Sequence, residues 1–363
     1  MKIPLTLAVD YCRSWGWWQA VRELIANAID TDYYHIDINE HSRSITIETY
    51  AGAIPNKYLL MGSGSKCSNG QTIGQHNEGL KLAMLVLARG GYELTIHNGL
   101  DTWEPVIEYS EMFEQEHLHV IINEGVNEDE DVVRFTITNL DDSHIEEVKN
   151  NYLDEYNIGK FYQCDEGKIL LDSRHLGKIY CGGVWVCNDT NLNYGYDILP
   201  KHLSLDRDRQ RVSTFDIQWL SKEMWSQVTN SGEDSAVNMV ADMVEKRVAD
   251  TLYLNHTLPS KAVASELFKR YEEKYSGKVL AESPEEVLKL EASGVSNAIY
   301  LGNDLFTNIV KSSNEYRTLE FKAEVCSVED LMLEWKGEWG NEMSRSMQLA
   351  YDDLVHKIKT ITN

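Results

Sequence analysis

Hydrophobic positions in the first 140 residues follow two periods, one typical of helices and one typical of strands. At 15–29, apolar side chains recur at steps of three and four residues, which predicts an amphipathic helix. Two short alternating runs at 35–38 and 44–48 flank a polar turn and predict a β-hairpin, and a second helix is predicted at 79–88. Further alternating segments predict a largely antiparallel sheet with one buried face; they are 92–97, 102–109, 117–123 and 132–140.

Beyond residue 140 the pattern changes to a short mixed region and then to helices. A helix is predicted at 143–153, two strands are predicted within 167–188, and a charged loop is predicted at 200–212. From Thr214 onward the sequence is mainly helical, with helices predicted at 214–229, 234–253, 259–275 and 328–361. We therefore expect a main domain at 1–155, a small second unit at 156–213 and a helical C-terminal domain at 214–363.

Composition restricts the classes of protein and of partner that fit this pattern. Apolar residues make up 42% of the 363 residues, which is enough for a packed core, whereas 58 acidic and 34 basic residues give a net charge of −24. Such a surface repels phosphate backbones, so nucleic acid is not an expected partner. The chain has six cysteines without a CxxC pair, and it lacks an apolar run near the ~20 residues that span a bilayer. We therefore expect a cytoplasmic protein that does not enter a membrane.

The string RELIANAID in the first helix places three polar side chains on one helix face. Glu23, Asn27 and Asp30 stand at i, i+4 and i+7, among apolar neighbours. One explanation is structural, with Arg13 and Arg22 available as partners for the carboxylates. The other is chemical, because an amide oxygen can bind magnesium while a carboxylate one turn away orients water for attack on a phosphate.

Glycine-rich segments stand between the predicted hairpin and the second helix. MGSGSK ends at Lys66, and the string IGQHNEGLK contains Gly74, Asn77, Gly79 and Lys81. Backbone amides in such a loop, followed by a helix N-terminus, form a cradle for phosphate. The alternative for these segments is a flexible surface loop without a ligand.

RELIANAID and IGQHNEGLK resemble two signatures of the GHKL superfamily, which includes gyrase-type topoisomerases, ninety-kilodalton heat-shock chaperones, histidine kinases, MutL and MORC ATPases. The resemblance implies an α+β protein, a Bergerat-type two-layer α/β sandwich with a mixed, mostly antiparallel sheet, plus a small second unit and a helical C-terminal region. It implies ATP and Mg²⁺ as cofactors, with Glu23 as general base and Asn27 as magnesium ligand. The other implied roles are pocket ordering by Asp30, phosphate binding by Gly74, Gly79 and Lys81, and cover of the nucleotide by Lys66.

The strand-and-loop motif expected next in this family is altered in this sequence. Relatives have D-x-G-x-G after a strand, and its aspartate accepts the adenine amino group, whereas this chain has ITIETYAGAIP. In the register that we adopt, Glu48 replaces the aspartate, Tyr50 replaces the first glycine and Gly52 keeps the second. Glu48 would then contact adenine at a shifted position or through water, or it is an exposed acid at a strand end. Asn77 takes the place of a usual lid glycine and tolerates left-handed backbone.

The charged loop LSLDRDRQRV resembles the catalytic loop of the chaperone class, in which an arginine reaches the γ-phosphate. In this alignment Arg209 takes that position, where its charge would stabilise the transition state. Alternating arginines also fit a solvated strand or a segment that binds an acidic surface.

Two function hypotheses follow from the resemblance and the charge. The first is an ATP-binding protein with slow magnesium-dependent hydrolysis that drives lid closure or homodimerisation, with a protein partner for the helical C-terminal region. The alternative is a non-catalytic acidic binding or inhibitor protein, a DNA mimic or anti-defence factor that retains the fold. The size and the altered second motif resemble phage-encoded members, for which the expected location is the host cytoplasm. Histidine kinase activity is disfavoured, because no acceptor histidine stands in an upstream dimerisation helix.

Overall fold

The α+β class predicted from the sequence is present, with a large antiparallel sheet, a smaller mixed sheet and C-terminal helices. The computed structural model describes residues 1–31, 33–60, 78–111, 114–154, 156–205, 212–254, 260–317, 336 and 343–362. The chain divides into two compact units, Met1–Met224 and Trp225–Asn363, and the three-segment division expected from the sequence stays a prediction. Within the described ranges, every helix is too short or too polar to cross a membrane.

The larger sheet contains seven strands, each antiparallel to its neighbours: β1 (Lys2–Ala8), β2 (Tyr34–Asn39), β3 (Ser44–Thr49), β4 (Glu93–Asn98), β5 (Asp101–Ser110), β6 (Gln115–Asn123) and β7 (Val133–Thr138). Their order is β1-β6-β5-β4-β7-β3-β2. The strands β2 to β7 confirm the predicted segments to within two residues at either end. The edge strand β1 was not predicted, and it pairs with β6 far along the chain.

Helices cover one face of this sheet: α1 (Trp17–Ile29), α2 (Gly79–Arg89) and α3 (Asp142–Asn151). On β3, Ile45 and Ile47 are fully buried in the core shared with the helices, whereas Thr46 and Glu48 alternate with them and are partly exposed. Because successive strand side chains point to opposite faces, β3 defines a helix face and an open face of the sheet. The predicted pattern of one buried face is therefore confirmed.

The smaller sheet, in the same unit, is mixed: β8 (Phe161–Cys164), β9 (Gly167–Leu170), β10 (Lys178–Cys181), β11 (Val184–Asn188) and β12 (Gly195–Ile198). Strands β10 and β12 are parallel, while the other pairs are antiparallel. A buried Asp197 on β12 accepts a 2.7 Å hydrogen bond from the Gly183 amide, and burial raises the pKa of this carboxyl. The helix α4 (Thr214–Asn230) follows this sheet and extends into the second unit.

The second unit is mainly helical, as predicted: α5 (Asp234–Lys246), α6 (Lys261–Tyr275), α7 (Pro284–Ala292), α8 (Asp304–Ser312) and α9 (Arg345–Thr362), with a parallel pair β13 (Val279–Ala281) and β14 (Ala298–Tyr300). Arg270 on α6 binds Asp242 and Glu245 on α5 at 2.6 and 2.8 Å. Helix α5 ends earlier than the predicted 234–253, because Arg247 adopts left-handed backbone with φ of 57° and closes the helix end.

Candidate functional site

The polar face predicted for the first helix begins with a buried ion pair. Glu23 is 3% exposed and Arg22 is 1% exposed, and Arg22 Nη2 lies 3.5 Å from Glu23 Oε1. The Arg22 guanidinium also lies 5.9 Å from the centre of the Trp15 ring. A buried carboxylate needs compensating charge or hydrogen bonds, and Arg22 supplies part of that compensation. The predicted structural partner of this face is therefore Arg22, whereas Arg13 pairs with Asp10 on the surface.

The other side of the Glu23 carboxylate lies against the start of α2. A Cβ atom added to Gly79 would stand 2.5 Å from Glu23 Oε2, closer than such atoms approach. Only glycine therefore fits at the first residue of α2 while Glu23 keeps this position. The two predicted residues Glu23 and Gly79, which are far apart in sequence, meet where a helix N-terminus favours negative charge.

Asn27 and Asp30 extend the polar face of α1 from buried to partly exposed surroundings. Both side chains are of intermediate exposure, unlike Glu23. From Glu23 to Asp30 the helix rises by about 10 Å, at roughly 1.5 Å per residue. The Asp30 amide caps the helix by donating to Ala26 O at 3.1 Å. Glu23, Asn27 and Asp30 thus form a polar stripe on α1, which extends from the start of α2 to the C-terminal end of α1.

Lys81, a predicted phosphate contact, is 1% exposed and its ammonium group binds backbone oxygens. Lys81 Nζ donates to Tyr58 O at 3.0 Å and to Leu60 O at 2.7 Å, at the end of the 3₁₀ helix Asn56–Leu59. Burial lowers the pKa of Lys81, an effect that the charge of Glu78 partly offsets. These two bonds hold α2 to the segment before residue 61 and leave one ammonium N–H for another acceptor.

Glu48, the predicted adenine contact, lies on the open face of the sheet. Its Oε1 accepts a short hydrogen bond from Arg134 Nε, and its Oε2 accepts one from the Tyr50 hydroxyl at 2.9 Å. Partial burial would raise the pKa of Glu48, but these hydrogen bonds outweigh it and hold the pKa below its ordinary value. The structure therefore does not bring Glu48 together with Glu23 and Asn27, because the sheet separates them.

The residue after Glu48 faces the helices. Thr49 is 8% exposed and alternates in phase with Ile45 and Ile47, whose side chains belong to the core with α1. The register that places Glu48 at the family aspartate rests on the chemical similarity of the two acids and gives Thr49 no role. The alternation of isoleucines in ITIET is the sequence signal for its orientation, since Thr49 continues the series of buried positions.

A loop after β3 is held against the end of the sheet by Asn98, which is 5% exposed. Asn98 Oδ1 accepts from the Ile54 amide at 2.6 Å, and Asn98 Nδ2 donates to Ile54 O at 2.9 Å. Gly52, a predicted site residue, adopts φ of 86°, which favours glycine, and its amide donates to Asp131 O at 3.2 Å. The loop thus has a fixed backbone beside the inward-facing row Thr49, Val133 and Asn98.

Four predicted site residues, Lys66, Gly74, Asn77 and Arg209, lie outside the described residues. Within the described ranges, no three His, Cys, Asp or Glu side chains are grouped to hold a metal ion by themselves. A magnesium ion that arrives with a nucleotide needs fewer protein ligands, because phosphates and water supply the rest. The Asn27 amide and the Glu23 carboxylate offer the oxygen donors that Mg²⁺ prefers, so the residues present fit that ion.

Comparisons with known proteins give weak similarities. No protein-family model matches this chain. An uncharacterized protein of Mycoplasma pneumoniae (strain ATCC 29342 / M129 / Subtype 1) is 26% identical over 218 residues, covering 55% of this chain and 86% of that protein. The ATPase region of Saccharomyces cerevisiae topoisomerase II bound to ICRF-187 (dexrazoxane) has a TM-score of 0.35 and 9% identity, over 54% of this chain and 77% of that one. A second structure of that ATPase region gives 0.34 with the same identity and coverage, and scores of this size do not establish a shared fold.

Proposed function

We propose that this chain binds a magnesium nucleoside triphosphate between α1 and α2 and hydrolyses it slowly, as the GHKL resemblance implies. The observation that carries the proposal is the close approach of the buried Glu23 carboxylate to Gly79 at the first residue of α2. A helix N-terminus offers unpaired backbone N–H groups to an anion. The Glu23 carboxylate beside this helix start would place a group that can activate water next to groups that can bind phosphate.

Each residue would have one task in this reaction. The Asn27 amide oxygen would bind Mg²⁺, which neutralises phosphate charge when bound. Glu23 would accept a proton from the water that attacks the γ-phosphorus. The bond between this phosphorus and the β–γ bridging oxygen would break, and its electron pair would leave with the nucleoside diphosphate. Arg22 would restrain Glu23 between turnovers. The remaining proposed contacts are Asp30, Gly52, Lys66, Gly74, Asn77, Gly79 and Lys81 for nucleotide and Arg209 for γ-phosphate charge.

Nucleotide binding and turnover in the full chain test this proposal separately. Melting with magnesium and a non-hydrolysable ATP analogue is expected to raise Tm for the wild type and for Glu23→Gln. Phosphate release by Glu23→Gln is expected to fall by about 100-fold or more, because general-base catalysis contributes factors of that order. Asn27→Ala is expected to weaken magnesium-dependent binding, and Glu147→Gln on α3 serves as the matched control. The absence of any Tm shift in the wild type, or equal turnover by Glu23→Gln, would refute the respective half of the proposal.

The net charge of −24 favours a second candidate, a non-catalytic acidic binding protein that captures a basic partner such as a DNA-binding protein. Under this alternative the chain binds nucleotide without turnover and retains its basic partner in a salt-sensitive manner. Under the first proposal, analogue binding produces a homodimer, which light scattering detects. Turnover by the purified protein that is lost in Glu23→Gln would exclude the non-catalytic alternative.

A further inference from the structure

We infer that Thr49 contacts the base and that the site accepts adenine and guanine nucleotides with similar affinity. This inference rests on the proposed function, because it concerns the other end of the same nucleotide. Its starting point is the geometry of β3, where the hydroxyl of Thr49 and the carboxylate of Glu48 point to opposite faces of the sheet.

The polar stripe on α1 gives the direction of the bound nucleotide. Under the proposed function, phosphate binds at the Glu23 end, where α2 begins and a helix N-terminus favours an anion. Seven residues later, about 10 Å along the helix, the stripe reaches Asp30. The chain then turns into β2, whose first residue Tyr34 pairs with Thr49, and the Tyr50 amide donates to Tyr33 O at 3.3 Å. The end of β3 therefore lies beside the end of α1 that is far from the phosphates.

The neighbours of Thr49 on the helix face of the sheet are apolar or held in place by hydrogen bonds. Thr49 and its cross-strand partner Val133 are 8% and 1% exposed, and Val133 in turn pairs with Asn98. Asn98 holds Ile54 through both of its amide atoms, which fixes an apolar side chain of the loop after β3. Within the described part of the chain, the structure gives the Thr49 hydroxyl no hydrogen bond, and this hydroxyl is not among the buried unpaired side-chain atoms, so solvent reaches it. A ligand can therefore reach this hydroxyl and form a hydrogen bond with it.

The chemistry of a hydroxyl determines which bases it can bind. A carboxylate only accepts hydrogen bonds, so it favours the amino group of adenine and repels the carbonyl oxygen of guanine. The Thr49 hydroxyl both accepts and donates, so it can accept from the adenine amino group or donate to the guanine carbonyl. Strong discrimination arises when the wrong substrate leaves a polar group of the site unpaired, and neither purine leaves the Thr49 hydroxyl unpaired.

Binding of non-hydrolysable ATP and GTP analogues, measured by calorimetry with magnesium, tests the inference. The wild type is expected to bind the two analogues with dissociation constants within about 10-fold of each other. Thr49→Asp is expected to raise the preference for the ATP analogue by about 10-fold or more, mainly by weakening the GTP analogue. Thr49→Val is expected to weaken both analogues about equally, and Thr49→Ser is expected to keep both affinities.

Variants of the neighbouring positions provide the controls. Thr46→Val removes a hydroxyl from the same strand on the open face. Glu48→Gln removes the carboxylate that the family motif would assign to adenine. Both variants are expected to keep the wild-type ratio of the two dissociation constants. A wild-type preference for ATP above about 100-fold, or a ratio that changes in Glu48→Gln but not in Thr49→Asp, would overturn the inference alone. Failure of the wild type to bind either analogue would overturn the proposed function and this inference with it.

Discussion

Two glutamates that the sequence assigns to one nucleotide site have contrasting surroundings. Glu23 is buried between Arg22 and the first residue of α2, on the helix face of the sheet. Glu48 lies on the open face, where Arg134 and Tyr50 bind its two carboxylate oxygens. Residues spaced by three or four positions on a helix share a face through local geometry alone, whereas a shift of one residue along a strand moves a side chain to the opposite face of the sheet. Substitutions on the helix face should therefore have larger effects than substitutions on the open face.

Lys81→Met is expected to have the largest effect on stability. The substitution removes the donor to Tyr58 O and Leu60 O, and carbonyls left unpaired in a buried position cost about 1–3 kcal/mol in unfolding free energy. Urea denaturation of the full chain measures this loss. Lys57→Met, at an exposed lysine of the same segment, is the control and is expected to change stability by less than about 0.5 kcal/mol. Equal stability of the two variants would mean that the Lys81 contacts contribute nothing.

Gly79→Ala is expected to have the next largest effect, because its new Cβ would meet Glu23 Oε2 at 2.5 Å. Alanine is the better helix former by roughly 1 kcal/mol, and overpacking costs about 1–3 kcal/mol, so we expect a small net destabilisation. We also expect turnover to fall about 10-fold, because displacement of a general base by a fraction of an ångström is costly.

Phosphate release and urea denaturation together measure the effect of Gly79→Ala. Gly16→Ala is the matched control, because the nearest atom to its new Cβ would be Gln19 Oε1 at 3.4 Å. Full turnover in Gly79→Ala would show that the position of Glu23 does not depend on this contact.

Glu48→Gln is expected to have the smallest effect, about 0.5–1 kcal/mol in unfolding free energy at pH 7, because the site is partly exposed. The pKa of Glu48 is held below its ordinary value in the folded chain. Its contribution is therefore complete above the ordinary pKa of about 4.3 and is lost as the pH falls through the lower folded value. Urea denaturation from pH 7 to pH 3 should show the wild type and the variant converging at the acid end. A difference that grows toward low pH would contradict the role of Arg134 and Tyr50.

Most elements of the first 140 residues could be predicted from periodicity, because each strand and helix there has one apolar face. The exception is the edge strand β1, a short run for which no strand is predicted, although its Leu5 and Leu7 side chains are buried. In the candidate site, the common face of Glu23, Asn27 and Asp30 follows from helical spacing. The role of Asn98 could not be predicted, because its partner Ile54 is distant in sequence. The contact forms only where the loop after β3 meets the last residue of β4.

The sequence by itself determined the α+β class, the positions of α1 and α2, and the polar stripe on α1. These features depend on local dihedral preferences and on the period of apolar residues, which neighbouring residues specify. Only the tertiary structure decided that Gly79 approaches Glu23, that Lys81 binds the Tyr58 and Leu60 carbonyls, and that Thr49 rather than Glu48 faces the helices. The physical reason is that these contacts join residues from separate elements, and close packing of the sheet against the helices selects them.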